Sequence, residues 1–193
     1  IRSFKQAIEI KPNYAEAYLH LGCSYAKQQA TTEALATFKQ GCAMDAQHPT
    51  LWLHAGQMHQ QLGQIDQAIE SYQHTIALYP KDAMVHDLLG TAYAQLERLD
   101  EAFDAFVIAL KLNPHHTSAQ HNLASLYFRE RSFDKALRYW LQMLNDGPDD
   151  HTVYNIATAY AGLNRWQEAK TYFEAHLKQQ PSHVPSLMNL ASL

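Results

Sequence analysis

Only two cysteines occur in the 193-residue chain, Cys23 and Cys42, too few for the disulfide framework of a small secreted scaffold. Glycine and proline are also sparse, at seven each, and charged residues make up only 18% of the sequence. With 47% apolar residues there is ample material for a core, and the signature of disorder is missing. No apolar run reaches the roughly 18–20 residues of a membrane span, and no basic-then-apolar segment opens the chain. Lysine and arginine never gather into a stripe, and the formal net charge is −4, so no nucleic-acid partner is expected.

Signatures of catalysis are lacking as well. There is no HExxH, no CxxC, no GxSxG elbow, no phosphate-binding glycine loop and no dinucleotide fingerprint. Twelve histidines invite a metal reading. The tightest group is His115, His116 and His121: two turn residues after Pro114 and one residue a helical turn into the next helix. It reads as a solvated turn plus one groove residue rather than a metal site. No cofactor is expected, and the chain reads as a non-enzyme.

What the sequence does contain is a repeat. Ala34, Ala68, Ala102, Ala136 and Ala169 follow one another at separations of 34, 34, 34 and 33 residues. Ahead of each lies a small residue with an aromatic or histidine three positions on: Gly22–Tyr25, Gly56–His59, Gly90–Tyr93, Ala124–Tyr127 and Ala157–Tyr160. Four residues after each alanine comes an aromatic: Phe38, Tyr72, Phe106, Trp140 and Phe173. Pro80, Pro114, Pro148 and Pro181 follow, with Pro12 in the same register upstream. Apolar residues at Ile65, Ala68, Ile69, Tyr72 and Ile76 recur at spacings of three and four, as one buried helical face requires. The small residue lets a partner helix approach closely, and proline closes each second helix.

These marks, in register five times, resemble the tetratricopeptide repeat along essentially the whole chain. The resemblance implies an all-α, right-handed superhelical solenoid of antiparallel helix pairs. Its repeats are expected at 15–48, 49–82, 83–116, 117–149 and 150–183, with a second helix over 1–14 and the start of a further repeat at 184–193. The first repeat carries Ala46 where proline is expected, with Pro49 three residues on. The fourth is one residue short around Gly147–Pro148–Asp149, where a local irregularity is expected. Ile1 is not a methionine and Leu193 falls inside an expected helix, so the sequence reads as a stretch of a longer polypeptide. An array cut mid-repeat leaves Leu187 and Leu190 without their normal cover, and end-to-end self-association is one expected consequence.

Function in such arrays lies on the concave face, lined by the first helix of each repeat. Repeat positions 2, 5, 6, 9, 12 and 13 form a stripe distinct from the packing positions 4, 7, 8 and 11. At position 6 the stripe runs His20, His54, Leu88, Asn122, Asn155, Asn189, the last three in the settings HNLA, YNIA and MNLA. This resembles the asparagine ladder in the repeats of O-linked N-acetylglucosamine transferases, which implies a grip on a partner's main chain. An asparagine amide offers a donor and an acceptor together, so it matches a peptide group without reading its side chain. Leu19, Leu53, Met84, Phe128, Tyr154 and Met188, with Gln57, Gln60, Gln61, Gln95, His121 and Arg129, surround it as candidate contacts. The Lys–Asn–Arg clamp by which chaperone-binding tetratricopeptide domains hold a terminal carboxylate is not matched. Leu19, Cys23, His54, Met84 and Leu88 stand at the groove positions, and Lys27 and Arg129 are the only basic residues on the stripe. The expected role is a scaffold holding an extended peptide or partner segment. The alternatives are the substrate-recruiting arm of a larger transferase and a self-assembling structural repeat.

Overall fold

A computed structural model describes residues 1–147 and 150–192, and among these residues the only regular element is the α-helix. α1 (Arg2–Ile10) stands alone. The pairs α2 (Ala15–Lys27)/α3 (Thr31–Met44), α4 (Pro49–Gln61)/α5 (Ile65–Leu78) and α6 (Ala83–Gln95)/α7 (Leu99–Leu112) complete a first compact unit, Ile1–Pro114. A second unit, His115–Leu193, holds α8 (Thr117–Arg129)/α9 (Phe133–Asp146), α10 (Asp150–Gly162)/α11 (Trp166–Gln179) and α12 (Val184–Ala191). Within each unit every helix packs on the next one along the chain, most tightly on the other member of its pair. This is the all-α repeat solenoid that the resemblance implies.

The repeat alanines form the packing seam. Ala34, Ala68 and Ala102 in the first unit, and Ala136 and Ala169 in the second, are fully buried. The aromatics one turn on, Phe38, Tyr72, Phe106, Trp140 and Phe173, are at most 2% exposed. The small residue of each first helix faces those rings. A β-carbon on Gly56 would lie 2.6 Å from Tyr72 Cε1, and one on Gly90 2.6 Å from Phe106 Cε1. Helix interiors disfavour glycine by up to ~1 kcal/mol relative to alanine, and the close approach offsets that cost.

Each pair is closed by a three-residue turn whose middle residue is left-handed: Gln29 (φ 60°), Gly63 (φ 72°), Glu97 (φ 57°), Arg131 (φ 60°) and Asn164 (φ 58°). The following N–H reaches back to the helix end, as in Ala30 N–H to Tyr25 O at 3.0 Å and Gln64 N–H to His59 O at 2.9 Å. These six-residue closures satisfy carbonyls that a helix end otherwise leaves unpaired. Only one of the five positions is glycine, so the other four hold a conformation that costs an L-residue roughly 1–2 kcal/mol.

Position 4 of the first helix has a second role besides packing. Tyr18 donates its hydroxyl to Pro12 O at 2.9 Å, Trp52 its indole N–H to Ala46 O at 3.0 Å, and His86 Nε2 lies 3.0 Å from Pro80 O. Each bond spans six residues and ties a repeat to the turn that leads into it. Ala46 therefore supplies the same acceptor as the prolines at its register, and Pro49 opens α4 at the first helical position, where its missing N–H costs nothing. The expected irregularity at 147–149 falls largely on Pro148 and Asp149, which lie outside the described residues; Gly147 ends α9 at φ 135°.

Candidate functional site

In the first unit the stripe residues fall into three environments. Leu19 is half-buried against the core around Phe38, and Leu53, 9% exposed, is part of the core itself. Leu53, expected as a partner contact, thus keeps little exposed surface. His20 is exposed and stacks on Phe4 with centroids 5.4 Å apart; His54 is half-buried and stacks on Phe38 at 5.2 Å. The two histidines thus cap the core aromatic of the preceding repeat. His54 Nδ1 also holds Gln57 Oε1 at 2.9 Å. Met84 is 42% exposed on the first turn of α6, whose N-cap is the Asp82 carboxylate accepting from Met84 N–H at 2.9 Å.

Four glutamines meet where Leu88 interrupts the position-6 series. Gln57, Gln60, Gln61 and Gln95, with Met58 and Leu88, line a cleft of ≈530 Å³ between α4 and α6. Gln60 is held at both ends: it accepts from Tyr72 Oη at 2.8 Å and donates to Gln95 Oε1 at 3.1 Å. Burial pushes the Tyr72 phenol well above its ordinary value, so it remains a donor across the physiological range. The stripe pattern names the glutamines but not this relay, because the ring that anchors it belongs to a packing position on the other helix.

In the second unit Asn122, Asn155 and Asn189 stand at the same register on α8, α10 and α12, all half-buried. Asn122 Nδ2 is 3.5 Å from Ser118 Oγ, and Asn189 Nδ2 reaches back one repeat to Tyr154 Oη at 3.4 Å. Both contacts are long for hydrogen bonds of their type. Tyr154 sits among Phe173, His176 and His183, at centroid distances of 6.0, 5.6 and 5.0 Å. Phe128 packs edge-on against Phe133 at 5.2 Å and on Trp140 at 5.7 Å, and His121 tilts against the same indole at 6.4 Å. With these aromatic neighbours Phe128 and His121 are half-buried. Arg129 is exposed at the end of α8 and engaged by a neighbouring group.

Two features lie outside the stripe pattern. Asp87, one position before Leu88, is 5% exposed and engaged within the fold rather than displayed. At the other end, Ser186 is fully buried and its Oγ lies 3.0 Å from His176 Nδ1 and 2.9 Å from His183 Nδ1. Ser186 N–H also donates to His183 Nδ1, at 3.2 Å, which makes His183 the N-cap of α12. An N-cap acceptor needs a lone pair, so His183 carries its proton on Nε2. A serine so enclosed is a structural pin and presents no nucleophile. Among the described residues no three of His, Cys, Asp and Glu gather closely enough to hold a metal, and no helix is long and apolar enough to cross a membrane.

Stacked antiparallel helix pairs with a buried alanine seam define a helical repeat array. The chain is built of tetratricopeptide repeats: profiles described as tetratricopeptide or TPR repeat match residues 1–29, 25–91, 83–116, 104–151 and 152–183. No curated protein matches the chain. Among solved structures, YrrB, described as a TPR protein with an unusual peptide-binding site, superposes with a TM-score of 0.84 at 21% identity, covering 96% of each chain. Pseudomonas aeruginosa pilF gives 0.84 at 19% identity over 98% of this chain and 87% of its own, and MamA gives 0.79 at 23% identity over 86% and 92%. At such identities the likeness is one of fold.

Proposed function

We propose that the chain is a protein-interaction scaffold that holds an extended segment of a partner protein along its first-helix face. Asn122, Asn155 and Asn189 grip the main chain of that segment. The observation that carries this reading is the repetition itself. Three amides of one type stand, half-buried, at one register position on three successive first helices of a single compact unit. Tyr154, Phe128 and His121, half-buried in the same unit, would flank the held chain. YrrB, which shares the fold and is described by its peptide-binding site, lends the reading an analogy. The role needs no catalytic group and no cofactor.

The test is selection of binding peptides from a random library displayed on phage, followed by titration of the selected peptides. The variant for comparison carries Asn122→Ala, Asn155→Ala and Asn189→Ala, with its helicity checked by circular dichroism. Each net hydrogen bond contributes about 1 kcal/mol, so three together predict an affinity loss on the order of a hundredfold. Equal affinity for both proteins would remove the asparagines from the site.

A further inference from the structure

Away from the first-helix stripe, the first unit carries a second cleft. Its ≈410 Å³ are bounded by α5, α6 and α7. The floor is apolar: Ile76, Leu89 and Tyr93, with Ala77, Ala105 and Ile108 at the sides. From α6 it uses packing positions only, His86, Leu89 and Tyr93, and so it shares no residue with the stripe. The walls are fixed. Gln73 Nε2 donates to Tyr93 Oη at 3.0 Å, the Arg98 guanidinium lies 4.6 Å from the Tyr93 ring centre, and His86 Nε2 is tied to Pro80 O. Ile108 is nonetheless 40% exposed, and Ala77 is exposed.

The repeat supplies its own control. Two 34-residue repeats earlier, the same positions line a notch of ≈300 Å³ bounded by α1, α2 and α3. Ile8, Leu21 and Tyr25 there match Ile76, Leu89 and Tyr93, so the floor is a property of the fold. The sides differ. Glu9, Thr37 and Gln40 stand where the later cleft has Ala77, Ala105 and Ile108. Packing inside the repeat does not require those three apolar side chains, since the earlier repeat folds without them.

The charged groups of the lining are carboxylates, with the Arg98 guanidinium beside them. Glu101 and Asp104 line the cleft, and a neighbouring notch that shares Gln73 and Ala77 adds Glu70. Neither lining contains a lysine or arginine. Arg98 bonds Glu101 through Nε at 2.7 Å, and that hydrogen bond holds the Glu101 carboxyl below its usual range, which leaves Asp104 and Glu70 to set the local potential. An apolar floor between uncompensated carboxylates excludes an acidic segment and favours a basic one.

We propose that this cleft docks a basic segment of a protein partner, seating one aliphatic or aromatic side chain over Ile76, Leu89 and Ile108 between lysines or arginines that face Asp104 and Glu70. The exposure of Ile108 and Ala77 lets a side chain carried on a peptide reach them. The cleft is independent of the asparagine register, so either site can fail alone.

Three fluorescent peptides of about a dozen residues serve as probes. One has a central leucine flanked by lysines, one the same leucine flanked by glutamates, and one the lysines with serine in place of leucine. Anisotropy titration is expected to show the first binding at least about tenfold more tightly than either other, with the margin shrinking as salt is raised. Ile108→Gln, which places there the residue of the earlier repeat, Ala77→Arg and Asp104→Lys, all on exposed helix faces, should each weaken it at least about fivefold, while the triple asparagine variant leaves it unchanged. Overturning results are equal affinity for the lysine and glutamate peptides, binding indifferent to Ile108→Gln and Ala77→Arg, or no binding of any peptide. A concentration-dependent mass in sedimentation that Ile108→Gln abolishes would assign the cleft to a second copy of the chain and equally overturn the proposal.

Discussion

Gly56 faces the ring of Tyr72 so closely that an added β-carbon would meet Cε1 at 2.6 Å, and the ring has nowhere to retreat. It is fully buried, and its hydroxyl is tied to Gln60. Overpacking of this kind costs about 1–3 kcal/mol, against at most ~1 kcal/mol gained from replacing a helical glycine. Gly56→Ala is therefore expected to lower the thermal midpoint, read by circular dichroism, although alanine stands at the same position in Ala124 and Ala157. Such contacts are legible in sequence because a small residue, an alanine and an aromatic recur at fixed spacing. Leu53 was not. The stripe places it beside Leu19, yet one is core and the other half-buried, because the spacing of a single helix says nothing of how far its neighbours lean over it.

At the scale of the element, turns and caps carry the information that the sequence pattern hides. Gln29, Glu97, Arg131 and Asn164 share the left-handed turn position with Gly63. Without that glycine nothing in composition marks the conformation, since the turn is imposed by the helices it joins. Gln29 is exposed, so Gln29→Gly removes steric strain of roughly 1–2 kcal/mol at an unfolded-state entropic cost of about 0.5–1 kcal/mol. The variant is expected to be more stable by several tenths of a kcal/mol to about 1 kcal/mol in urea titration, at unchanged slope. A lower midpoint would show that the glutamine side chain contributes more than its backbone conformation costs. The bridge from His176 through Ser186 to His183 is equally invisible in the sequence, being a meeting of two elements. His183→Ala removes the N-cap of α12, worth about 0.5–2 kcal/mol, together with its bond to Ser186. Amide hydrogen exchange is expected to quicken across 184–191 and to stay unchanged across the first unit.

For the molecule as a whole, the buried seam sets the response to alkali. Burial pushes the Cys42 thiol up to about 11 and raises the Cys23 thiol, partly offset there by Lys27, and it raises the Tyr72 phenol. The folded chain thus keeps protons that the unfolded chain releases, and the unfolded state binds fewer of them at high pH. By linkage, the stability these groups contribute is present below about pH 9 and falls as pH rises from 9 towards 11. Cys42→Ala, which replaces a thiol 5% exposed, should flatten the early part of that decline in urea midpoints measured from pH 7 to 11. An unchanged slope would place the alkaline loss elsewhere.

The central claim, that the asparagines hold main chain rather than side chains, is tested most directly by methylating backbone nitrogens in a selected peptide one at a time. Isothermal titration should show losses of about tenfold or more at individual N-methylated positions, matched by tolerance of side-chain changes at the same positions. Those losses should vanish in the protein carrying all three asparagine-to-alanine changes. Affinity that ignores N-methylation but follows side-chain identity would contradict the claim.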